Sequence, residues 1–354
     1  MKILFVYYVP SGGVETHNRM RQQALKGHTC EFLYYRKQRK LVNDHGAPVH
    51  ITNDDAIIRN LLSKKHYDVM VVISDYSALQ RFRNLGFKGK MILEVQGFGP
   101  KDNARSILER AKPIITAHAD GLLNPRTPHI QSLYNELYPT VPKFNFNNAI
   151  NYSRYSYVPT PKHPNPIVAW IGRLEDNKNW REFLRIGEQI VKRAPSTELY
   201  MFEDPTLSTK EERNAFEALK KTLGLQNHVK VLQNVPNDDM RTYFSKIGDS
   251  GGFLCMTSKV EGAPYAPLEA LCAKCPVLTT DNDGVRSSII HNETGKYYRI
   301  GDIQHGVKEA MALMRDQSLR SKIRTQGVTH VQTNFSLERY NSNFTYMLQL
   351  ISTK

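Results

Sequence analysis

The chain has 354 residues, 40% hydrophobic and 23% charged, which is too long for one ordinary domain, suits two of roughly 150–200 residues each, and excludes wholesale disorder. No apolar run approaches the ~20 residues of a membrane-spanning helix; the best is residues 69–73. The formal charge of +14 is uneven: residues 1–160 carry 22 Lys+Arg against 12 Asp+Glu, and residues 161–354 carry 26 against 22.

Residues 2–9 read as a strand of near-continuous apolar character, as expected where both sheet faces are covered. The chain enters it directly from Met1 without the pattern of a secretory signal, so a soluble, cytoplasmic protein is expected. A Pro10-Ser11-Gly12-Gly13 turn precedes a helix over residues 14–26. Further strands are expected at 30–35, 68–73, 90–95 and 113–117, with polar helical stretches between most of them, an alternation that argues for a parallel, doubly wound sheet. Residues 152–166 hold Pro159, Pro161, Pro164 and Pro166 and read as a linker. A second series follows, with strands at 167–171, 198–202, 229–232, 252–256 and 277–279. Its helices fall at 182–192, 210–223, 238–245, 268–272 and 307–314, and a last helix spans 337–350. The expectation is therefore an N-terminal Rossmann-like domain over 1–158, a second over 159–335 and a C-terminal helix over 336–354 crossing back. Ligands of such domains bind outside the carboxyl ends of the strands, and two domains would face a central cleft.

Three stretches could carry chemistry. In Ser258-Lys259-Val260-Glu261-Gly262-Ala263-Pro264-Tyr265-Ala266-Pro267-Leu268-Glu269-Ala270, a strand gives way to a turn and then to a helix whose first turn tolerates proline. Free N–H groups at that start suit a diphosphate, Gly262 lets a ligand approach the backbone, and two glutamates bracket the start. On spacing alone the pair reads equally as a loop charge and a surface helix charge. In Gly172-Arg173-Leu174-Glu175-Asp176-Asn177-Lys178, an arginine and a lysine follow a strand, and both suit phosphate oxygens. Ser11-Gly12-Gly13-Val14-Glu15 could offer N–H groups to an anion, but neither the dinucleotide fingerprint nor a phosphate-binding P-loop is present. Cys30 and Cys255 sit in apolar stretches, and Cys272 and Cys275 form a C-x-x-C that nothing completes into a zinc site, so all four read as buried thiols.

The basic excess clusters at Arg36, Lys37, Arg39 and Lys40, at Lys64-Lys65, and across Arg81, Arg83, Lys88 and Lys90. Such a face attracts acidic lipids or a phosphorylated acceptor, or is a plain solvated surface. Interleaved aromatics and a recognition helix are missing, so nucleic acid is not an expected partner.

Taken in order, these pieces resemble glycosyltransferase family 4, the retaining family with the GT-B fold, over nearly the whole chain. Gly12-Gly13-Val14-Glu15 with Gly27-His28 looks like the family's opening. Asn148-Ala149-Ile150-Asn151 is similar to its Asn-Gly-Val-Asp. Gly172-Arg173 with Lys178 looks like its diphosphate pair, and Glu261 and Glu269 fit its two-glutamate signature. Pro276-Val277 and Thr294-Gly295 fall at further landmarks. The resemblance implies that Arg173 and Lys178 neutralise the leaving diphosphate and that Glu269 accepts hydrogen bonds from the ribose hydroxyls. Glu261, with the backbone at Gly262, Ala263 and Pro264, would contact the donor sugar, and Gly12 and Gly13 would face the diphosphate or acceptor. The implied reaction is transfer of a hexose-type sugar from a nucleotide sugar, most often a UDP-sugar, to a glycan or lipid-linked acceptor in bacterial cell-surface glycan or glycolipid synthesis. The implied acceptor attacks from the leaving-group side, with no protein nucleophile, unlike retaining glycosidases. No metal or other cofactor is implied, and the basic patch suggests a peripheral place on the inner membrane face.

Several positions depart from the pattern. Gln96 stands where the family often has a histidine, and His118 after the next expected strand could substitute for it. Met201-Phe202-Glu203-Asp204-Pro205 replaces a glycine-rich turn, Asn234 a glycine, and Ser287 a glutamate. These departures motivate an alternative, a catalytically silent relative that binds nucleotide sugar or glycan as a partner subunit. A nucleotide-sugar epimerase of the same fold is disfavoured by the two-glutamate signature.

Overall fold

The computed structural model describes residues 1–37 and 45–353. The chain divides into one unit of residues 1–151 with 334–354 and another of residues 152–333.

In the first unit the strands are β1 (Lys2–Tyr7), β2 (Thr29–Tyr34), β3 (Val49–Ile51), β4 (Val69–Ile73), β5 (Lys90–Glu94), β6 (Gly121–Asn124) and β7 (Lys143–Asn145). They form one parallel sheet in the order β3-β2-β1-β4-β5-β6-β7. The helices between them are α1 (Gly12–Ala24), α2 (Asp55–Lys65), α3 (Ser77–Asn84), α4 (Lys101–His118) and α5 (Pro128–Leu137). All five residues of β4 are buried, as a strand covered on both faces requires.

The strand expected at residues 113–117 is instead the last part of α4, Pro113 included. Ala104, Leu108, Ala111 and Ile115 recur at helical spacing along its buried face, and packing of that face overrides the local β-propensity of Ile114, Ile115 and Thr116. The strand that follows is β6.

In the second unit the segment expected as a linker opens with a short helix, α6 (Tyr152–Tyr155). Tyr155 is fully buried, the Tyr157 N–H donates to the Cys272 carbonyl, and the Val158 N–H donates to the Ser245 hydroxyl. Proline density therefore marks an extended strap that lies on this unit. The strands are β8 (Ile167–Ile171), β9 (Glu198–Glu203), β10 (Val229–Gln233), β11 (Phe253–Met256), β12 (Val277–Thr280) and β13 (Lys296–Tyr298). The helices are α7 (Trp180–Arg193), α8 (Lys210–Thr222), α9 (Met240–Asp249), α10 (Tyr265–Cys272), α11 (Ile303–Arg315) and α12 (Gln317–Asn334). The sheet is parallel in the order β10-β9-β8-β11-β12-β13. On α7, Trp180, Phe183, Leu184, Gly187 and Ile190 form one buried stripe against it; each large member contributes about 1.5–3 kcal/mol by leaving water.

The last helix, α13 (Leu337–Ser352), belongs to the first unit and packs on α1. Its Phe344 meets Phe5 and Phe146 with ring centroids at 6.1 and 6.5 Å. All four cysteines are buried and unpaired. Burial pushes the Cys30 thiol up to about 11 and that of Cys275 to about 12.

Candidate functional site

In a doubly wound sheet the crevice opens where neighbouring strands send their connections to opposite faces. In the second unit that point lies between β8 and β11. The loop after β8 runs Gly172 to Asn179, with a 3-10 turn at Asp176–Lys178 and Asn179 in the left-handed region at φ 51°. The loop after β11 runs Thr257 to Pro264 and leads into α10.

The two loops are tied together. The Lys259 N–H donates to the Asn177 carbonyl at 2.8 Å. The Asn177 side chain donates to the Val260 carbonyl at 3.1 Å and accepts from the Val260 N–H at 3.2 Å. Trp170 Nε1 donates to the Thr257 hydroxyl, which donates to the Lys178 carbonyl, at 3.1 and 2.9 Å. These bonds place Lys178 Nζ 2.6 Å from Glu261 Oε1. Lys178 is 22% and Glu261 11% exposed in its side chain, so the pair is reachable but largely shielded. A Cβ at Gly172 would lie 3.2 Å from Lys178 Cγ, so the lysine stem runs close over that backbone. Arg173 does not join this pair: it is half exposed, with its guanidinium 2.9 Å from Glu175.

Gly262, Ala263 and Pro264 are partly exposed in the turn before α10, where helix N–H groups suit an anion. Glu269 lies one turn further in, 4% exposed, and Asn237 Nδ2 donates to its Oε1 at 3.3 Å. Sequence reasoning missed Asn237, since a lone asparagine past a strand carries no pattern. It missed Gly284 as a site residue too. A Cβ there would sit 2.0 Å from the Glu261 carbonyl oxygen and 2.6 Å from that of Gly262; the glycine thus lets a neighbouring loop back directly onto the glutamate turn.

Two departures find physical explanations. Asn234 adopts φ 53°, the left-handed conformation that asparagine tolerates best after glycine, so the backbone shape survives the replacement. Glu203, at the carboxyl end of β9, is buried and clamped by Arg213 at 3.1 and 2.9 Å and by Gln233 at 3.1 Å.

In the first unit, Gly12 (φ 73°) and Gly13 are exposed after β1. Gln96 follows β5, and both ends of its amide are engaged. It donates to Glu94 at 2.5 Å and accepts from Asn148 at 2.7 Å. Beneath it, Glu94 is fully buried, taking two bonds of 2.8 Å from Arg21 and one contact of 3.1 Å with His17. Burial alone would push the Glu94 carboxyl up, but Arg21 and His17 outweigh it and hold it at about 2. Burial, with Arg21, lowers His17 to about 4, so its ring is neutral at pH 7. His118 is a correction: it ends α4 and precedes β6, so it stands at the amino edge of the parallel sheet. Gln96 stands at the carboxyl edge, a strand length of about 13 Å away, and His118 does not stand in for the missing histidine. Arg36 and Lys37 are exposed after β2; Arg39 and Lys40 lie outside the described residues.

Two tandem units of this kind, each a parallel sheet wound with helices, form the GT-B architecture of sugar transferases. Residues 156–329, most of the second unit, match the glycosyl transferases group 1 family. Among curated proteins, the chain is 24% identical over 172 residues to the capsular polysaccharide biosynthesis glycosyltransferase CapM of Staphylococcus aureus, covering 49% of this chain and 43% of that one. It is 26% identical over 226 residues to the alpha-1,3/1,6-mannosyltransferase of Mus musculus, covering 61% and 52%. The chain thus spans about half the length of these relatives. Among solved structures, it superposes on HepE of Anabaena in complex with UDP and glucose, with TM-score 0.82, 16% identity and 99% of both chains covered. Sucrose-phosphate synthase of Thermosynechococcus elongatus gives 0.85 at 15% identity over 100% of both chains; these two likenesses establish the fold. Among the described residues no helix is long and apolar enough to cross a membrane.

Proposed function

We propose that this chain is a retaining glycosyltransferase that moves a hexose from a nucleotide diphosphate sugar, foremost a UDP-sugar, to a glycan or lipid-linked acceptor in bacterial cell-surface glycan or glycolipid synthesis. The observation that carries the reading is the Lys178–Glu261 pair, held at 2.6 Å where β8 and β11 diverge and just before α10. A cation, a carboxylate and a helix start converge there, as a phosphorylated sugar requires. Names among the relatives, from capsular polysaccharide to lipopolysaccharide core biosynthesis, support the acceptor class.

In this reading Lys178 and Arg173 neutralise charge building on the departing diphosphate, a preorganised stabilisation that commonly supplies several kcal/mol. Arg173 leaves Glu175 when a diphosphate is present. Glu261 contacts the donor sugar, Glu269 holds the ribose, and the N–H groups at Gly262, Ala263 and Pro264 meet sugar hydroxyls. Gly12 and Gly13 face the diphosphate or acceptor. The acceptor attacks from the leaving-group side and the departing phosphate takes its proton. The reaction needs no metal, so a chelator leaves the rate unchanged. Arg36 and Lys37, with Arg39 and Lys40, draw an acidic acceptor or an anionic membrane surface, which places the protein peripherally on the cytoplasmic face. The test is a panel of UDP-, GDP- and ADP-sugars with glycan and lipid acceptors, reading donor consumption and, by NMR, the anomer formed. An inverted product refutes the retaining course.

The engaged Gln96 favours one second reading: it offers no titratable group after β5, as a silent relative binding nucleotide sugar as a partner subunit would show. Nucleotide binding without transfer or donor hydrolysis, over the whole panel, selects it.

A further inference from the structure

We infer that Asn237 is a positioning residue for Glu269, held in place by the strap that opens the second unit; this rests on the donor-site reading above. Asn237 begins a 3-10 turn, Asn237–Asp239, just past the carboxyl end of β10. Its Nδ2 donates to Glu269 Oε1 at 3.3 Å, and its Oδ1 accepts from the Tyr155 hydroxyl at 2.7 Å.

The chemistry fixes the orientation of that amide. An ionised carboxylate only accepts, so the NH₂ end must face Glu269. The carbonyl end is then left for Tyr155, whose hydroxyl donates. Tyr155 is fully buried on α6, so its packed ring holds the hydroxyl against the turn. The neighbouring residue adds a second tether: Arg154 Nε donates to Asp238 Oδ1 at 2.7 Å. Two consecutive residues of α6 thus grip two consecutive residues of the turn, and the turn's asparagine grips the glutamate. Glu269 itself is buried to 4% exposure. A buried carboxylate that must meet two hydroxyls gains from a neighbour that fixes its plane before the ligand arrives. Residues that read as a proline-rich linker in the sequence hold this relay at its far end.

The experiment compares two nucleotides that differ only in the ribose hydroxyls, UDP and 2′,3′-dideoxy-UDP, by calorimetric titration. Wild type binds UDP the more tightly. Asn237→Ala lowers UDP affinity about five- to tenfold, the worth of one ordinary hydrogen bond, and leaves the dideoxy nucleotide unchanged. Tyr155→Phe, a gentler change that keeps the buried ring, gives a smaller loss confined to UDP and stands in if Asn237→Ala does not fold. Asn237→Asp sets a second carboxylate against Glu269, so its UDP affinity recovers as pH falls and one proton is shared; a merely structural residue gives no such profile. Equal losses for both nucleotides overturn the inference. So does wild-type UDP binding by Asn237→Ala in conditions where Glu269→Ala binds weakly, although the donor site then stands. A wild type that binds neither nucleotide, or both alike, removes the ribose role of Glu269 and with it the donor-site reading.

Discussion

Replacing Glu261 by glutamine tests how Lys178 divides itself between protein and ligand. The two charged atoms stand 2.6 Å apart, which at an effective dielectric of 20 corresponds to about 6 kcal/mol of attraction. With Lys178 22% and Glu261 11% exposed, solvent screening and side-chain entropy reduce that to about 1–2 kcal/mol. In wild type a diphosphate must draw Lys178 from Glu261 or share it. Glu261→Gln removes the competitor at almost unchanged shape, so UDP binds about five- to thirtyfold more tightly, the factor equivalent to that energy. Transfer moves the other way. If Glu261 contacts the donor sugar, losing a charged hydrogen bond lowers kcat/KM about ten- to a hundredfold. The assay is calorimetric titration of UDP at two ionic strengths, paired with initial rates; the gain in affinity shrinks at high salt. UDP binding that weakens or stays level in Glu261→Gln refutes the argument, because Lys178 is then not the group that meets the diphosphate.

Gly284→Ala drives a Cβ to 2.0 Å from the Glu261 carbonyl oxygen. Because the obstacle is backbone, the cost is about 1–3 kcal/mol, seen as a melting temperature lower by roughly 2–12 °C for a unit of this size together with weaker UDP binding; a wild-type melt shows the contact to be unimportant. A Cβ at Gly13 meets nothing within 4 Å, so Gly13→Ala keeps the wild-type melting temperature while slowing transfer, and unchanged transfer rates remove Gly13 from the site. The first unit loses stability on acidification. His17 is held at about 4 against an ordinary 6.5, so it stays neutral in the fold while the unfolded chain takes up a proton below pH 6.5; about 3 kcal/mol is lost by pH 4. Glu94, held at about 2 against 4.5, adds a loss in the same direction between pH 4.5 and 2. His17→Gln flattens denaturant midpoints between pH 6.5 and 4, and an unaltered slope contradicts the assignment.

Much of the fold was legible because buried parallel strands such as β4 and β8 read as short apolar runs, and helices such as α7 and α11 as helical stretches. The edge strands β3, β7 and β13 were missed, being three residues each and too short for any periodicity. Residues 113–117 misled because Ile114, Ile115 and Thr116 favour strand locally, while the buried face of α4 is visible only across about three turns. That error also misplaced His118. In the site, Lys178 and Glu261 stood out through motif order, and the structure brings them into contact. Arg173, expected beside Lys178, pairs with Glu175 instead, a choice of rotamer that no motif encodes. Asn237 and Gly284 act through contacts across 32 and 23 residues of chain, and single residues at such separations leave no local trace.

In the proposed reading the second unit binds a nucleoside diphosphate through Arg173, Lys178 and Glu269. The decisive experiment is calorimetric titration of UDP, GDP and ADP into wild type, Arg173→Ala and Glu269→Ala. One nucleotide, UDP, is expected to bind, and both substitutions to weaken it. Binding of none of the three, or binding that ignores both residues, contradicts the reading.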